Sequence, residues 1–264
     1  MLELVEVTKI FNKGTPDVRT ALDRLSLKIA DGEFVSVIGG NGAGKSTLLN
    51  AVCGTWLTDG GKILIDGIDV TRLPEHKRAA YLGRVYQDPM QGTCAGMQIE
   101  ENLALAARRG KKRTLAPGIR KSERAAFKER LSSLGLGLED RLTARVGTLS
   151  GGQRQALTLL MATLRKPKIL LLDEHTAALD PKTAARVMEL TEEIVRSQEI
   201  TTLMITHNMK DAIKYGDRLI MMNAGKIILD ISGDAKKNLT VEDLMKRFSE
   251  ASGEEFSGDR AILA

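Results

Sequence analysis

The sequence predicts an α/β protein in which a mostly parallel sheet is flanked by helices, with an antiparallel β subdomain and an inserted helical subdomain. Three observations support this prediction. Apolar runs at 33–38, 168–173 and 200–205 are each followed by a polar loop and a helical pattern, which is typical of buried parallel strands. The first third alternates strand-like segments with turns. Residues 93–164 carry helical patterns without a strand.

The individual elements follow from the same periodicities. Alternation and turn residues predict five further strands or short strands, at 1–10, 18–29, 62–66, 68–70 and 81–86. Apolar residues at helical spacing predict helices at 99–107, 122–134 and 181–197. A hairpin at 219–229 and one short amphipathic helix from Val241 complete the chain.

The most informative segment follows the first apolar run. Residues 39–47 fit the phosphate-binding P-loop pattern G-x-x-x-x-G-K-[ST], between a predicted strand and a predicted helix. The N–H groups of the loop and of the helix start favour the binding of phosphate. This segment and its flanking strand and helix are therefore predicted to belong to a P-loop NTPase core. Lys45 is expected to reach the β- and γ-phosphates and Ser46 to ligate Mg²⁺. The predicted phosphate-binding residues are Gly39, Gly40, Asn41, Gly42, Ala43, Gly44, Lys45, Ser46 and Thr47.

A second candidate anion site begins at Ser150. This serine is a good N-cap, and the two glycines after it place N–H groups at the start of an apolar helix. The next predicted strand ends in Asp173 and Glu174. Asp173 is expected to hold Mg²⁺ through its water shell and Glu174 to polarise an attacking water. Alone, the two acids would be explained equally well by a strand that simply stops there.

These segments together resemble a known family. The P-loop, LSGGQ at 149–153, the acidic strand end, Ala178-Leu179-Asp180 and Ile205-Thr206-His207 occur in the order and spacing of the ATP-binding cassette (ABC) ATPases. The resemblance covers about residues 2–244. It implies ATP and Mg²⁺ as cofactors and a single ABC ATPase domain over 1–264. The implied parts are a core at about 1–92 and 165–250, a helical signature subdomain at about 93–164 and a tail at 251–264.

The resemblance also assigns further site residues. Phe11 is implied to stack on adenine, the alternative being that it plugs the end of the sheet. Gln87 is implied to reach Mg²⁺ and the attacking water, although a polar residue in a turn would look the same. His207 is implied to contact the γ-phosphate rather than to be structural. A signature on an outlying lobe would serve the P-loop of a second copy, which assigns Ser150, Gly151, Gly152 and Gln153 to nucleotide binding across a dimer.

The function implied is that of the ATP-hydrolysing subunit of an ABC transporter, peripheral at the cytoplasmic face of the cell membrane. Its partners would be a second ABC subunit, expected to be a second copy, an integral membrane permease and, indirectly, a solute-binding protein. Import is favoured, with similarity to amino-acid-type uptake systems. The alternative is an ABC ATPase of a non-transport membrane system, of the cell-division or signalling type.

Composition sets the remaining limits. The chain has 264 residues, a net charge of +5 and only 3% aromatic residues. No apolar run approaches the ~20 residues needed to cross a bilayer. Cys53 and Cys94 lack metal-ligand spacing and are expected to be free thiols, with Cys53 in the core. The basic run Arg108–Arg113 is expected to be a solvated loop, with attraction to a membrane surface as a minor alternative. It has no interleaved aromatic residues, so no nucleic-acid partner is expected.

His175 departs from the family pattern, because many relatives have proline after the Asp-Glu pair. A titratable ring beside Glu174 would be able to tune the pH dependence of hydrolysis. A packed loop residue is the favoured interpretation.

Overall fold

The computed structural model of the protein describes residues 1–111 and 118–252. The chain divides into two compact units. The first comprises Met1–Arg78 and the described residues from Glu199 onward, and the second comprises Ala79–Gln198. The core and lobe boundaries expected from the sequence stay a prediction.

The elements follow in chain order. The first unit begins with β1 (Leu2–Phe11), β2 (Arg19–Ile29), β3 (Phe34–Gly39), α1 (Lys45–Cys53), β4 (Gly60–Ile65), β5 (Ile68–Asp69) and α2 (Glu75–Arg78). The second unit contains β6 (Leu82–Val85), α3 (Ile99–Ala107), α4 (Lys121–Ser132), a 3-10 turn (Val146–Thr148), α5 (Gly151–Thr163), β7 (Ile169–Asp173) and α6 (Pro181–Gln198). The first unit then resumes with β8 (Thr201–Ile205), α7 (Met209–Lys214), β9 (Arg218–Asn223), β10 (Lys226–Ser232), α8 (Gly233–Lys237) and α9 (Val241–Ser252).

The first unit contains the predicted antiparallel sheet, with strand order β2-β1-β4-β5. β1 pairs along both of its edges, so that Leu2 lies opposite Ile29 on β2 and Ile65 on β4. All three of these side chains are fully buried. The apolar alternation in the first third of the sequence therefore marks the covered face of this sheet.

The P-loop follows β3, which pairs in parallel with both β8 and β9. β10 runs antiparallel to β9 and completes the predicted hairpin. β3 and β8 are buried along nearly their whole length, as strands covered on both faces require. Val37 lies opposite Ile205. The carboxyl ends of β3 and β8 therefore meet at one edge of the sheet.

The helices α7 and α9 share one core with the hairpin and with Ile38 of β3. This cluster comprises Ile38, Met209, Ala212, Leu219, Met221, Ile231, Leu239, Leu244 and Phe248. The amphipathic helix expected from Val241 is present as α9. Residues after Ser252, and with them most of the predicted tail, lie outside the described residues. The helices α2 and α8 were not predicted, because four or five residues are too few to show a period.

In the second unit β6 and β7 pair in parallel, with Val85 opposite Leu172. Between residues 93 and 164 the described residues form helices, a 3-10 turn and an isolated bridge, without a strand, as predicted. The Arg124 guanidinium donates two hydrogen bonds of 2.6 Å to the carboxylate of the buried Glu100. This contact joins α4 to α3.

The basic run is only partly a solvated loop. Arg108 pairs with Glu123 at 3.2 Å. Arg109 is half-buried, and its Nη1 donates to the Ala162 carbonyl at 2.7 Å, near the end of α5. Two of the cations thus hold helices together, while Lys112 and Arg113 lie outside the described residues.

Two further predictions concern the cysteines and the possibility of a membrane-spanning helix. Cys53 is buried and Cys94 is exposed, and both are free thiols. In the described part of the chain, none of the helices has the length and apolar character needed to cross a bilayer.

Candidate active site

The P-loop lies between β3 and α1, as the sequence predicts. Gly39 has φ 152° and Gly44 has φ 103°, both in the left-handed region that favours glycine. A Cβ at Gly44 would lie 2.5 Å from the Ala21 carbonyl oxygen, and one at Gly39 would clash with the Met222 carbonyl. Backbone conformation and space therefore both require glycine at these two positions.

Lys45 is the first residue of α1 and is 5% exposed. Its Nζ donates to the carbonyl oxygens of Gly39, at 2.7 Å, and Gly40, at 3.0 Å. The ammonium is thus held inside the loop whose N–H groups face phosphate in this motif. Ser46 follows it in the first turn and is exposed. No side-chain hydrogen bond caps α1, so the N–H groups at its start keep their capacity for an anion.

His207 lies at the end of the strand beside the P-loop strand. The Thr206 N–H donates to the Val37 carbonyl at 3.2 Å, two residues before the P-loop begins. His207 is half-buried, and the next residue, Asn208, caps α7 by accepting a hydrogen bond from the Asp211 N–H. The cap and the strand pairing fix the backbone on both sides of the histidine.

Phe11 also lies near the P-loop. It pairs with Arg19 across β1 and β2, and the Arg19 Nη2 donates to the Gly42 carbonyl at 2.8 Å. The Phe11 ring is partly exposed and meets the Trp56 ring edge-on, with 4.9 Å between centroids. The first unit therefore brings the candidate adenine-stacking residue, the P-loop and the strand end of His207 into one region.

The acidic strand end lies in the second unit. The Asp173 carboxylate accepts a hydrogen bond of 2.9 Å from the Arg84 Nη2 on the neighbouring strand β6, and both side chains are mostly buried. Glu174 has φ 46°, a left-handed conformation that is unfavourable for a residue with a side chain. Such strain is often found at functional sites. It turns the chain sharply directly after β7.

Gln87 follows β6 at the same edge, two residues after Val85, and its side chain is exposed. The Tyr86 carbonyl accepts a hydrogen bond from the Nε2 of the fully buried Gln155, at 3.1 Å. Because Gln155 lies on α5, the helix that follows LSGGQ is attached directly to the segment before Gln87.

The signature segment begins α5 with a reciprocal cap. The Ser150 Oγ accepts a hydrogen bond from the Gln153 N–H, and the Gln153 Oε1 accepts one from the Ser150 N–H, both at 3.2 Å. A Cβ at Gly152 would clash with the Thr183 side chain at the start of α6. The signature glycines thus also allow close packing of α5 against α6.

His175 is a packed loop residue. It is 2% exposed, and its Nε2 lies 3.1 Å from the Thr191 Oγ1 on α6. Burial lowers the pKa of His175 to about 4. The ring is therefore neutral near pH 7, which supports the packing interpretation over tuning of the pH dependence of hydrolysis.

The predicted site residues thus fall into two groups. Phe11, the P-loop and His207 lie in the first unit, whereas Gln87, Asp173, Glu174 and Ser150–Gln153 lie in the second. Sequence reasoning missed Arg19, Trp56 and Arg84, which contact predicted site residues, and Gln155, which contacts the residue before Gln87.

The predicted metal ligands have the right chemistry for Mg²⁺. Ser46, Gln87 and Asp173 offer hydroxyl, amide and carboxylate oxygens, which are the donors this hard cation prefers. The described residues contain no cluster of three or more His, Cys, Asp and Glu side chains that would hold a metal ion by themselves.

Comparison with known proteins gives a consistent result. The ABC transporter family model matches residues 22–177. A tyrosine transport ATP-binding protein of Clostridioides difficile is 47% identical, over 95% of this chain and 100% of that protein. A methionine import ATP-binding protein of Corynebacterium diphtheriae is 35% identical, over 86% of this chain, and the match spans 64% of that protein.

Solved structures show the same likeness. The dimeric post-hydrolysis state of an ATP-binding cassette bound to ADP and Pi has a TM-score of 0.74 and 30% identity, with 88% of this chain and 98% of that chain covered. The ADP conformation of another ABC transporter cassette has a TM-score of 0.78 and 26% identity, with coverages of 96% and 99%.

Proposed function

We propose that this chain powers amino-acid import through a separate membrane permease. The chain belongs to the ABC transporter family, and it is the ATP-binding and ATP-hydrolysing subunit of a transporter. The observation that carries the ATPase assignment is Lys45, which is held at the uncapped start of α1 inside a P-loop. The proposal of amino-acid import rests on the relatives named for tyrosine transport and methionine import.

ATP binding is proposed to use the residues of the first unit. The phosphates accept hydrogen bonds from the loop N–H groups and from the start of α1. When ATP binds, the Lys45 ammonium gives up its hydrogen bonds to the Gly39 and Gly40 carbonyls and contacts the β- and γ-phosphates instead. Phe11 stacks on the adenine ring, and His207 contacts the γ-phosphate from the end of β8.

Hydrolysis is proposed to use the acidic strand end of the second unit. Glu174 polarises the attacking water and accepts its proton. Ser46, Gln87 and Asp173 would hold Mg²⁺, which would supply positive charge against the charge that develops on the phosphate oxygens. Arg84 keeps the Asp173 carboxylate in a fixed position at the end of β7. Gln87 links this chemistry to the exposed segment after β6.

The signature is proposed to act on the nucleotide of a second copy. Ser150 and the N–H groups of Gly151 and Gly152 would face the γ-phosphate bound by the partner's P-loop, so that two ATP molecules close the dimer and hydrolysis reopens it. The structurally similar ATP-binding cassette that was solved as a dimer with ADP and Pi supports this assembly.

The permease is proposed to bind near Gln87. Residues 89–102 follow this glutamine and include the exposed Met90. A cytoplasmic segment of the permease bound there would receive the motion of the Gln87 segment. The protein would then work as a peripheral subunit at the cytoplasmic face of the membrane, indirectly supplied by a solute-binding protein.

Uptake of labelled tyrosine and methionine in cells that lack this chain tests the import proposal. We expect loss of uptake for one of them, restored by the wild-type chain and not by Glu174→Gln. Unlabelled aromatic amino acids and methionine, added as competitors, then identify the solute class. Normal uptake of both amino acids in the deleted cells would contradict the proposal, whereas ATPase activity of the purified protein would still support the catalytic assignment.

A further inference from the structure

An aromatic pair lies at the end of β1. The ring of Trp56, in the loop after α1, meets the Phe11 ring at 81° with 4.9 Å between centroids. The Lys9 Nζ lies 5.3 Å from the centroid of the same Phe11 ring. Edge-to-face packing and a cation near the ring face are both favourable, so the two contacts together restrict the orientation of Phe11.

The loop that carries Trp56 is itself attached firmly to β1. The Asp59 carboxylate accepts hydrogen bonds from the Ile10 N–H, at 2.7 Å, and from the Lys13 Nζ, at 2.9 Å. The Asp59 N–H donates to the Thr8 carbonyl at 2.8 Å. In addition, the Lys9 Nζ donates to the Leu57 carbonyl at 2.9 Å. On the other side, the Trp56 N–H donates to the Asn50 carbonyl at 3.4 Å, so the backbone around Trp56 is held although the residue is 37% exposed.

The aromatic pair of Phe11 and Trp56 is connected to the P-loop through α1 and through Arg19. Trp56 follows α1, the nine-residue helix that begins with Lys45. Phe11 pairs with Arg19, whose guanidinium donates to the P-loop carbonyl of Gly42. One end of α1 therefore faces the phosphates, and the loop after its other end holds the aromatic ring.

We propose that Trp56 is a positioning residue for nucleotide binding, which holds the Phe11 ring in the orientation that stacks on the base. The proposal rests on the proposed function, and in particular on Phe11 as the adenine contact. Fixing the ring before the nucleotide arrives reduces the entropy that stacking costs. An edge-to-face pair is worth about 0.5–1.5 kcal/mol, so loss of Trp56 is expected to weaken ATP binding by about twofold to twelvefold.

The test measures dissociation constants by calorimetry for two ligands, ATP and inorganic tripolyphosphate. Tripolyphosphate has the phosphates of ATP but no base, so it reports on the P-loop alone. Four proteins are compared: wild type, Trp56→Leu, Trp56→Phe and the control Leu57→Ala, an exposed apolar neighbour. We expect Trp56→Leu to weaken ATP binding and leave tripolyphosphate binding unchanged. Trp56→Phe should restore most of the ATP affinity, and Leu57→Ala should behave as wild type.

Other results would overturn the proposal. Equal weakening for ATP and tripolyphosphate would mean that Trp56 supports the P-loop and not the base. Unchanged ATP affinity in Trp56→Leu would mean that Phe11 needs no support. Failure of the wild type to bind ATP would instead contradict the proposed function itself, and is distinguished by the first measurement of the series.

The chain offers an independent optical readout, because Trp56 is its single tryptophan. We expect ATP to change the emission of Trp56 over the same concentration range as in calorimetry, and tripolyphosphate to leave it unchanged. In Phe11→Ala the emission change with ATP should be lost. An equal change with both ligands would contradict a contact between Trp56 and the base-binding ring.

Discussion

The starts of α1 and α5 are both glycine-rich helix N-termini, but they satisfy their N–H groups in opposite ways. At α1 the N-cap is Gly44, without a side-chain hydrogen bond, and the first helical residue, Lys45, provides a buried ammonium. At α5 the Ser150 and Gln153 side chains cap each other's backbone N–H groups. The first start thus has no side-chain cap, whereas the second satisfies two of its N–H groups, those of Ser150 and Gln153, with its own side chains.

This difference indicates a division of roles. An uncapped start with a buried cation is suited to bind the phosphates first and tightly. A self-capped start has less to gain from an anion, and it is suited to a weaker contact that forms after the nucleotide is bound. A second copy that arrives on ATP already held by the P-loop would make such a contact.

The largest effect is expected from Lys45→Ala at the first start. Loss of the ammonium removes the charge that the β- and γ-phosphates require, so ATP turnover should fall about 100-fold or more. Calorimetry with ATP and a phosphate-release assay measure the two consequences. Turnover close to that of wild type would show that α1 is not the primary phosphate site.

At the second start, Ser150→Asp and Ser150→Ala separate capping from phosphate contact. Aspartate is as good an N-cap as serine, so Ser150→Asp should keep the free energy of unfolding, whereas Ser150→Ala should lose about 1 kcal/mol. The order of ATPase activity should be reversed, because the aspartate carboxylate repels the γ-phosphate. We expect Ser150→Asp to lower turnover about tenfold more than Ser150→Ala does. Equal turnover in the two variants would mean that Ser150 caps the helix and does not contact the γ-phosphate.

A further effect concerns the pH dependence of stability, and it arises from the buried His175, which lies in the unit of α5 and not in that of α1. Burial lowers the folded-state pKa of His175 from 6.5 to about 4. Above pH 6.5 the ring is neutral in both states, and its contribution to stability is fully present. Below pH 6.5 the unfolded chain takes up a proton that the folded protein does not, so the free energy of unfolding should fall by about 2 kcal/mol between about pH 7.5 and pH 5.

Urea denaturation of wild type and His175→Gln at the two pH values measures this contribution. Glutamine has an amide near the position of the imidazole Nε2 and does not titrate, so the variant should lack the extra loss at low pH. The same pH dependence in both proteins would show that His175 titrates normally, contrary to its burial.

Much of this organisation was visible in the sequence, because it depends on local patterns. The strand before Gly39, the helix from Lys45, the cap at Ser150 and the strand ending at Asp173 are each encoded within about ten residues. Their periodicity and cap residues were sufficient to place them.

The contacts that support these residues were not visible, since they join distant parts of the chain. Arg84 and Asp173 are 89 positions apart, and Arg19 and Gly42 are 23 positions apart. The pairing of Phe11 with Trp56 depends on how the loop after α1 returns to β1. Specific long-range pairs of this kind follow from tertiary packing and have no local sequence signal.

ATP-dependent dimerisation is tested by the mass of the protein in solution with and without ATP. Light scattering is applied to Glu174→Gln, which should bind ATP without hydrolysing it, and to Glu174→Gln combined with Ser150→Asp. We predict that Glu174→Gln is a dimer only with ATP, and that the second substitution prevents the dimer without reducing ATP binding to the P-loop. A Glu174→Gln protein that binds ATP and stays monomeric, or a double variant that dimerises equally well, would contradict the claim that the two helix starts meet across one nucleotide.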